Sequence, residues 1–129
     1  MGGRNNNSLV LQIRYGATTV LLTGDIEAPA EARLGERPSL GGATLLKVPH
    51  HGSRTSSQPS LLARLLPTVA VAQLASQNRF GFPHEEVVER YRKLKTAWLS
   101  TDTHGAIGMV SDGQLSRLRP CRKPEAWMG

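Results

Sequence analysis

Cysteine is almost absent: Cys121 stands alone among 129 residues. That excludes an internal disulfide framework and a CxxC metal knuckle. Aromatic residues are scarce at 5%. Trp98 and Trp127 lack the spacing of a base-stacking platform, and Trp98 is assigned to the core. No apolar run approaches the roughly 20 residues that span a bilayer, so the chain as given reads as soluble. Residues 1–7 have no apolar centre of the kind a signal peptide carries. No repeat with a period of roughly 20 to 50 residues is visible.

What is present fits one globular domain covering residues 1–129, with 39% apolar and 20% charged residues. Residues 1–7 and 120–129 read as flexible ends. A net charge of +6 suits polyanionic partners such as nucleic acid, and equally suits a self-repelling soluble surface.

Hydrophobic patterning gives the order of elements. Residues 8–15 and 18–22 form strands joined at Gly16-Ala17 into a hairpin. Residues 27–37 form a short helix with Pro29 in its first turn, where a missing N–H costs little. Residues 43–48 are a short apolar strand buried on both faces. Ser56 or Ser57 caps a helix over 59–66, and residues 68–74 return as a strand. A helix from 84 or 85 to 95 carries Glu85 and Glu86 in its positive first turn and Arg92, Lys93 and Lys95 in its last. Strands over 97–100, 106–111 and 114–118 close the chain, with Asp112-Gly113 as a tight hairpin signal and His104 in a turn. The expected fold is α/β: a mixed sheet with helices on one face.

Three strand ends carry the polar residues of interest: Asp25, the pair His50-His51, and His84. Strands aim the loops at their carboxyl ends towards a common point, so these four residues are expected at one rim. Carboxylate and imidazole are ligands for Zn²⁺, Mn²⁺ or Fe²⁺. Taken singly, an Asp after Thr-Gly is also an ordinary turn or cap. Around the histidines, Gly52 admits an anion close to the backbone, while Ser53, Thr55 and Ser56 offer hydroxyl and N–H groups; a plain serine-rich cap has the same composition. Lys47, Arg54 and Arg79 flank these loops as candidates for holding a phosphodiester. Arg90, Arg92, Lys93, Lys95, Arg117, Arg119, Arg122 and Lys123 are read as solvated charge or as a nucleic-acid track.

The succession Asn5-Asn6-Asn7-Ser8-Leu9-Val10-Leu11, Leu21-Leu22-Thr23-Gly24-Asp25, Leu46-Lys47-Val48-Pro49-His50-His51-Gly52-Ser53 and Asn78-Arg79-Phe80-Gly81-Phe82-Pro83-His84 resembles the C-terminal metallo-β-lactamase-like domain of the ComEC competence proteins, over residues 5–119. The resemblance implies the second half of an αββα sandwich at whose edge two metal ions, zinc or manganese, activate water. It also implies a parent protein in the bacterial cytoplasmic membrane that handles incoming DNA, with the side on which this domain lies left open. Carried onto this chain, Asp25 matches the bridging carboxylate, and His50, His51 and His84 match later histidines that act as ligands or touch the leaving group. His51 and His84 are the candidates for the catalytic role, with the choice between His50 and His51 as ligand open.

Two departures from that pattern stand out. Phe82 occupies a position where the family usually has a histidine, and the upstream HxHxDH-like motif is missing. A sheet face that includes side chains of residues 9–13 and 69–71 would then meet water, and it calls for the N-terminal half of the domain or for a second copy in a homodimer. Two functions follow: a fragment of a metal-dependent phosphodiesterase acting on DNA, weak or inactive alone, or a non-catalytic half-domain that binds nucleic acid or a partner chain through its basic face.

Overall fold

The computed structural model describes residues 8–75, 78 and 80–121. Asn5, Asn6, Asn7, Arg79, Arg122, Lys123 and Trp127, all named above, lie outside the described residues, as do most positions of the two flexible ends. Pro120 does not belong to such an end: it is buried as the last residue of a strand.

Five strands form one mixed sheet. β1 (Leu11–Tyr15) and β2 (Thr18–Leu22) pair antiparallel, and β3 (Leu45–Lys47), β4 (Val69–Ala72) and β5 (Ala97–Ser100) follow in parallel, in the order β1-β2-β3-β4-β5. Between them run α1 (Ala28–Gly35), α2 (Pro59–Leu65) and α3 (Glu85–Lys93). Strand alternation sends Leu21, Leu46, Ala70 and Ala72 to the helical face, where they pack with Leu61, Leu62 and Leu65 of α2 and Val87 and Tyr91 of α3. Trp98 packs against this cluster, as expected of a core residue. All three helices therefore cover the same face.

Opposite the helices, Ile13, Val20, Leu45 and Val69 run across the sheet in register, with Leu11 on the same face of β1. On this face Leu45 is nearly buried and Val69 and Val71 are half-buried, whereas Leu11 and Ile13 are each 46% exposed and nearby Leu9 is 82% exposed. The expected open apolar face is thus concentrated at the β1 edge. A second, two-stranded sheet of β6 (Ile107–Ser111) and β7 (Ser116–Pro120) docks on the β1–β2 turn. There Ala17 N–H donates to the Gly113 carbonyl at 2.5 Å and the Thr18 hydroxyl bonds Ser111 and Ser116.

Several boundaries differ from the sequence reading for local reasons. α2 is preceded by Gln58, not capped by Ser56 or Ser57: the Ser56 hydroxyl donates to the Pro49 and Ser53 carbonyls, and the Ser57 N–H goes to Glu31. β7 starts at Ser116, because the Asp112 carboxylate accepts the N–H groups of Gln114 and Leu115 and makes a longer loop than a two-residue turn. His104 ends a four-residue helix, α4 (Thr101–His104), and is buried with Nδ1 against the Ser100 carbonyl at 3.1 Å. Among the described residues no helix is long and apolar enough to cross a membrane.

Candidate functional site

The parallel strands bring their carboxyl ends to one rim, and hydrogen bonds lock the rim loops together. The Thr23 hydroxyl donates to the Lys47 carbonyl at 2.8 Å, His50 N–H to the Gly24 carbonyl at 3.1 Å, and His84 N–H to the Gly52 carbonyl at 3.0 Å. Residues 49–52 form a tight turn in which His50 and His51 both adopt left-handed backbone, at φ 49° and 54°. Non-glycine residues take that conformation at a cost and gather at sites where side chains must be aimed. Here the turn presents two adjacent imidazoles to a cleft of about 590 Å³ lined by Asp25, His50, His51, Asn78, Phe80 and Phe82.

His51 meets Asp25. Its Nε2 lies 3.4 Å from Asp25 Oδ1, and its Nδ1 lies 2.8 Å from the Gln73 carbonyl. A carbonyl only accepts, so Nδ1 carries the ring proton, and the neutral ring turns the lone pair of Nε2 towards the carboxylate. Two acceptors facing each other require a cation or a second proton between them.

The other two histidines are held differently. His84, the residue before α3, accepts the Arg54 N–H at Nδ1 over 2.8 Å, which leaves the proton of the neutral ring on Nε2. It is built to donate. His50 has a buried Nδ1 that makes no hydrogen bond and stands 3.4 Å from Glu27 Oε2. The Phe82 ring sits among all three histidines, with centroid distances of 5.8 Å to His50, 6.3 Å to His51 and 5.2 Å to His84. The four residues expected at one rim do gather there, around a phenyl ring.

The flanking residues have more local tasks. Lys47 turns inward: its Nζ donates to the Gly24 carbonyl at 3.3 Å, and burial lowers its pKa while Asp25 opposes that shift. Gly52 is buried at φ +85°. The Ser53 hydroxyl bonds the Thr55 hydroxyl at 2.9 Å, and the exposed Arg54 pairs with Glu86 at 3.4 Å.

Behind the loop lies a network that sequence reasoning missed. Buried Glu31 of α1 accepts N–H bonds from Ser57 and Gln58 at 2.5 and 2.8 Å, and the Tyr91 hydroxyl bonds the Ser57 hydroxyl at 2.8 Å. Arg90 Nη1 donates to the Ser56 and Ser57 carbonyls, so Arg90 is an anchor and not solvated surface. Desolvation raises the Glu31 carboxyl despite the Gln58 and Ser57 N–H groups and Arg90, and it pushes the Tyr91 phenol up as well. Glu27 was missed too, although it lies only two residues past Asp25.

The donor set suits a divalent transition metal in kind and falls short in number. Ligand atoms 3.4 Å apart, as in His51 and Asp25, subtend roughly 110° at a Zn²⁺ lying about 2.0–2.1 Å from each, an edge of a tetrahedron. Carboxylate and imidazole come here as two pairs, and among the described residues no group of three or more histidine, cysteine or acidic side chains is placed to hold one ion. Protein zinc sites take at least three such ligands. Asp25 and His51 thus provide part of a site.

No family model matches the chain. Among curated proteins it is 42% identical to "Uncharacterized protein YcaI" of Escherichia coli, over 92% of this chain and 16% of that protein. It is 35% identical to "Competence protein ComA" of Neisseria gonorrhoeae, over 89% of this chain and 17% of that protein. With "ComE operon protein 3" of Bacillus subtilis the identity is 34%, over 81% of this chain and 13% of that protein. The chain spans only 13% to 17% of the length of these relatives. Over most of its own length, then, it is a homologue of one segment of much larger proteins, two of which bear competence names.

Proposed function

We propose that this chain is the C-terminal half of a metallo-β-lactamase-like domain that hydrolyses phosphodiester bonds of DNA during competence, and that its site is completed by ligands from outside the described residues. One observation carries the reading: His51 has its proton fixed on Nδ1 by Gln73, so its Nε2 lone pair faces the Asp25 carboxylate at a separation suited to a bridging cation. The competence names of two relatives support the biological setting.

In this reading Asp25 and His51 would hold a zinc or manganese ion, with His50 beside them and the remaining ligands supplied from outside the described residues. A bound divalent cation supplies Lewis acidity towards a phosphate oxygen and makes water a nucleophile at neutral pH. His84, whose Nδ1 is occupied by the Arg54 N–H, would offer its Nε2–H as donor to the leaving oxygen. Arg54 and Arg79 steady the phosphodiester, with Lys47 bracing the turn before Asp25. Gly52, expected to admit an anion, is instead packed against Pro83, and the Ser53 and Thr55 hydroxyls are taken up by each other and by Glu27. The exposed row Leu9, Leu11 and Ile13 receives the N-terminal half of the domain or a second copy, and the parent protein resides in the cytoplasmic membrane.

Metal analysis of the purified chain and of Asp25→Ala tests the proposal. Binding of Zn²⁺ or Mn²⁺ that is lost in the variant is expected, and equal metal content in the two removes Asp25 from the site. A second reading is favoured by the lack of a ligand triad among the described residues and by exposed Arg117 and Arg119 on β7: a non-catalytic half-domain that binds nucleic acid. DNA binding by metal-free protein that weakens steeply with salt, together with no metal uptake, selects it.

A further inference from the structure

We propose that Glu27 is a positioning residue: its carboxylate takes the Nδ1 proton of His50 and so aims the opposite nitrogen of that ring into the cleft. The inference rests on the metal-site reading above and adds a residue to it.

Chain geometry makes the pairing. Ile26 is buried in the core between Asp25 and Glu27, so the two carboxylates flank an anchored residue. Across from them stand the two adjacent imidazoles, Asp25 against His51 and Glu27 against His50, each at 3.4 Å. His50 Nδ1 is fully buried without a hydrogen bond, whereas the side chain as a whole keeps 20% exposure. The accessible edge is therefore the one bearing Nε2, and His50 lines the cleft. A buried ring nitrogen left unsatisfied is costly, and one facing a carboxylate has an acceptor waiting.

Glu27 is held for that task. Its Oε2 accepts the Thr55 hydroxyl at 2.5 Å, and the Ala28 N–H bonds the Thr55 carbonyl at 2.9 Å, which fixes the segment at both side chain and backbone. Glu27 is not among the residues that line the cleft, which fits a carboxylate standing behind His50. The arrangement parallels the one at His51, where the Gln73 carbonyl holds Nδ1. Histidines that ligate metals usually donate their other N–H to a carboxylate or carbonyl, and loss of that partner typically weakens metal binding about 10- to 100-fold.

The test compares wild type, Glu27→Ala, Glu27→Gln and Asp25→Ala by two readouts: ¹⁵N NMR of the imidazole rings in metal-free protein, and calorimetric titration with Zn²⁺. The expectation is that Glu27→Ala lifts the Nδ1–H preference of His50 alone and weakens zinc binding about 10- to 100-fold, with Glu27→Gln recovering most of both because its amide oxygen still accepts. An unchanged His50 tautomer in Glu27→Ala overturns the proposal. So does loss of zinc as complete as in Asp25→Ala with no rescue by Glu27→Gln, which makes Glu27 a ligand. If wild type takes up no zinc, the metal-site reading fails by itself, and the NMR comparison still decides whether Glu27 sets the His50 ring.

Discussion

Replacing Gly52 with alanine strikes the joint between the histidine turn and the start of α3. Gly52 has φ +85°, outside the range that side-chain-bearing residues hold comfortably, and a Cβ built there lies 2.7 Å from Pro83 Cβ and 4.0 Å from the Trp98 ring. Left-handed backbone costs a residue with a Cβ about 1–2 kcal/mol, and overfilling a packed contact costs about 1–3 kcal/mol more. Together these give about 2–5 kcal/mol, a large part of the roughly 5–15 kcal/mol that hold a domain of this kind. Thermal melting should fall by on the order of 10 °C or more. Because the Gly52 carbonyl also accepts the His84 N–H, amide shifts should spread from the 49–55 loop into the first turn of α3. Gly35→Ala is the matched control: at the end of α1 nothing lies within 4 Å of the new methyl group, and less freedom in the unfolded chain should stabilise by about 0.4–1 kcal/mol. Urea denaturation of both variants reads the contrast. A Gly52→Ala protein with the midpoint of wild type, or a Gly35→Ala protein that loses as much as Gly52→Ala, refutes the reasoning.

Two further outcomes are expected. The raised pKa of buried Glu31 means that the folded chain keeps a proton at pH values where the unfolded chain, at 4.5, has lost it. This group's contribution to stability is therefore present below pH 4.5 and lost as pH rises through the folded value, so wild type should weaken relative to Glu31→Gln between pH 4.5 and neutrality; parallel urea midpoints across that window contradict it. At the β1 edge, Ile13→Lys places charge on the open apolar face; wild type should associate at micromolar concentration and the variant should not, whereas light scattering from a compact wild-type monomer removes the paired-sheet idea.

Strong periodicity made most elements readable before any coordinates. Residues 18–22 and 97–100 match β2 and β5, and the leucines of α2 face the core as their spacing implied. Ends were harder, because side chains compete for backbone N–H groups: the Asp112 carboxylate delays β7, and Glu31, distant in sequence, ties down the Ser57 and Gln58 N–H groups just ahead of α2, where a serine cap was expected. The meeting of Asp25, His50, His51 and His84 was legible because three loops sit at carboxyl ends of strands. The roles within that meeting were not. Which ring nitrogen is free depends on Gln73 for His51 and Arg54 for His84, while Glu27 stands beside His50, and only tertiary contacts bring those partners together.

The interlock between the two hairpin turns bears on how the chain acquires its shape. A Cβ on Gly16 would meet the Gly113 carbonyl oxygen at 2.3 Å, and the Tyr15 ring lies over Gly113, so the first turn and the last fit tightly together. Most of the chain separates them. Closing so long a loop is entropically demanding, which places the docking of β6 and β7 late in folding and leaves them the first to detach. Amide exchange should accordingly be faster in residues 107–120 than in β3 and β4, with the histidine rim persisting after the terminal ribbon has let go.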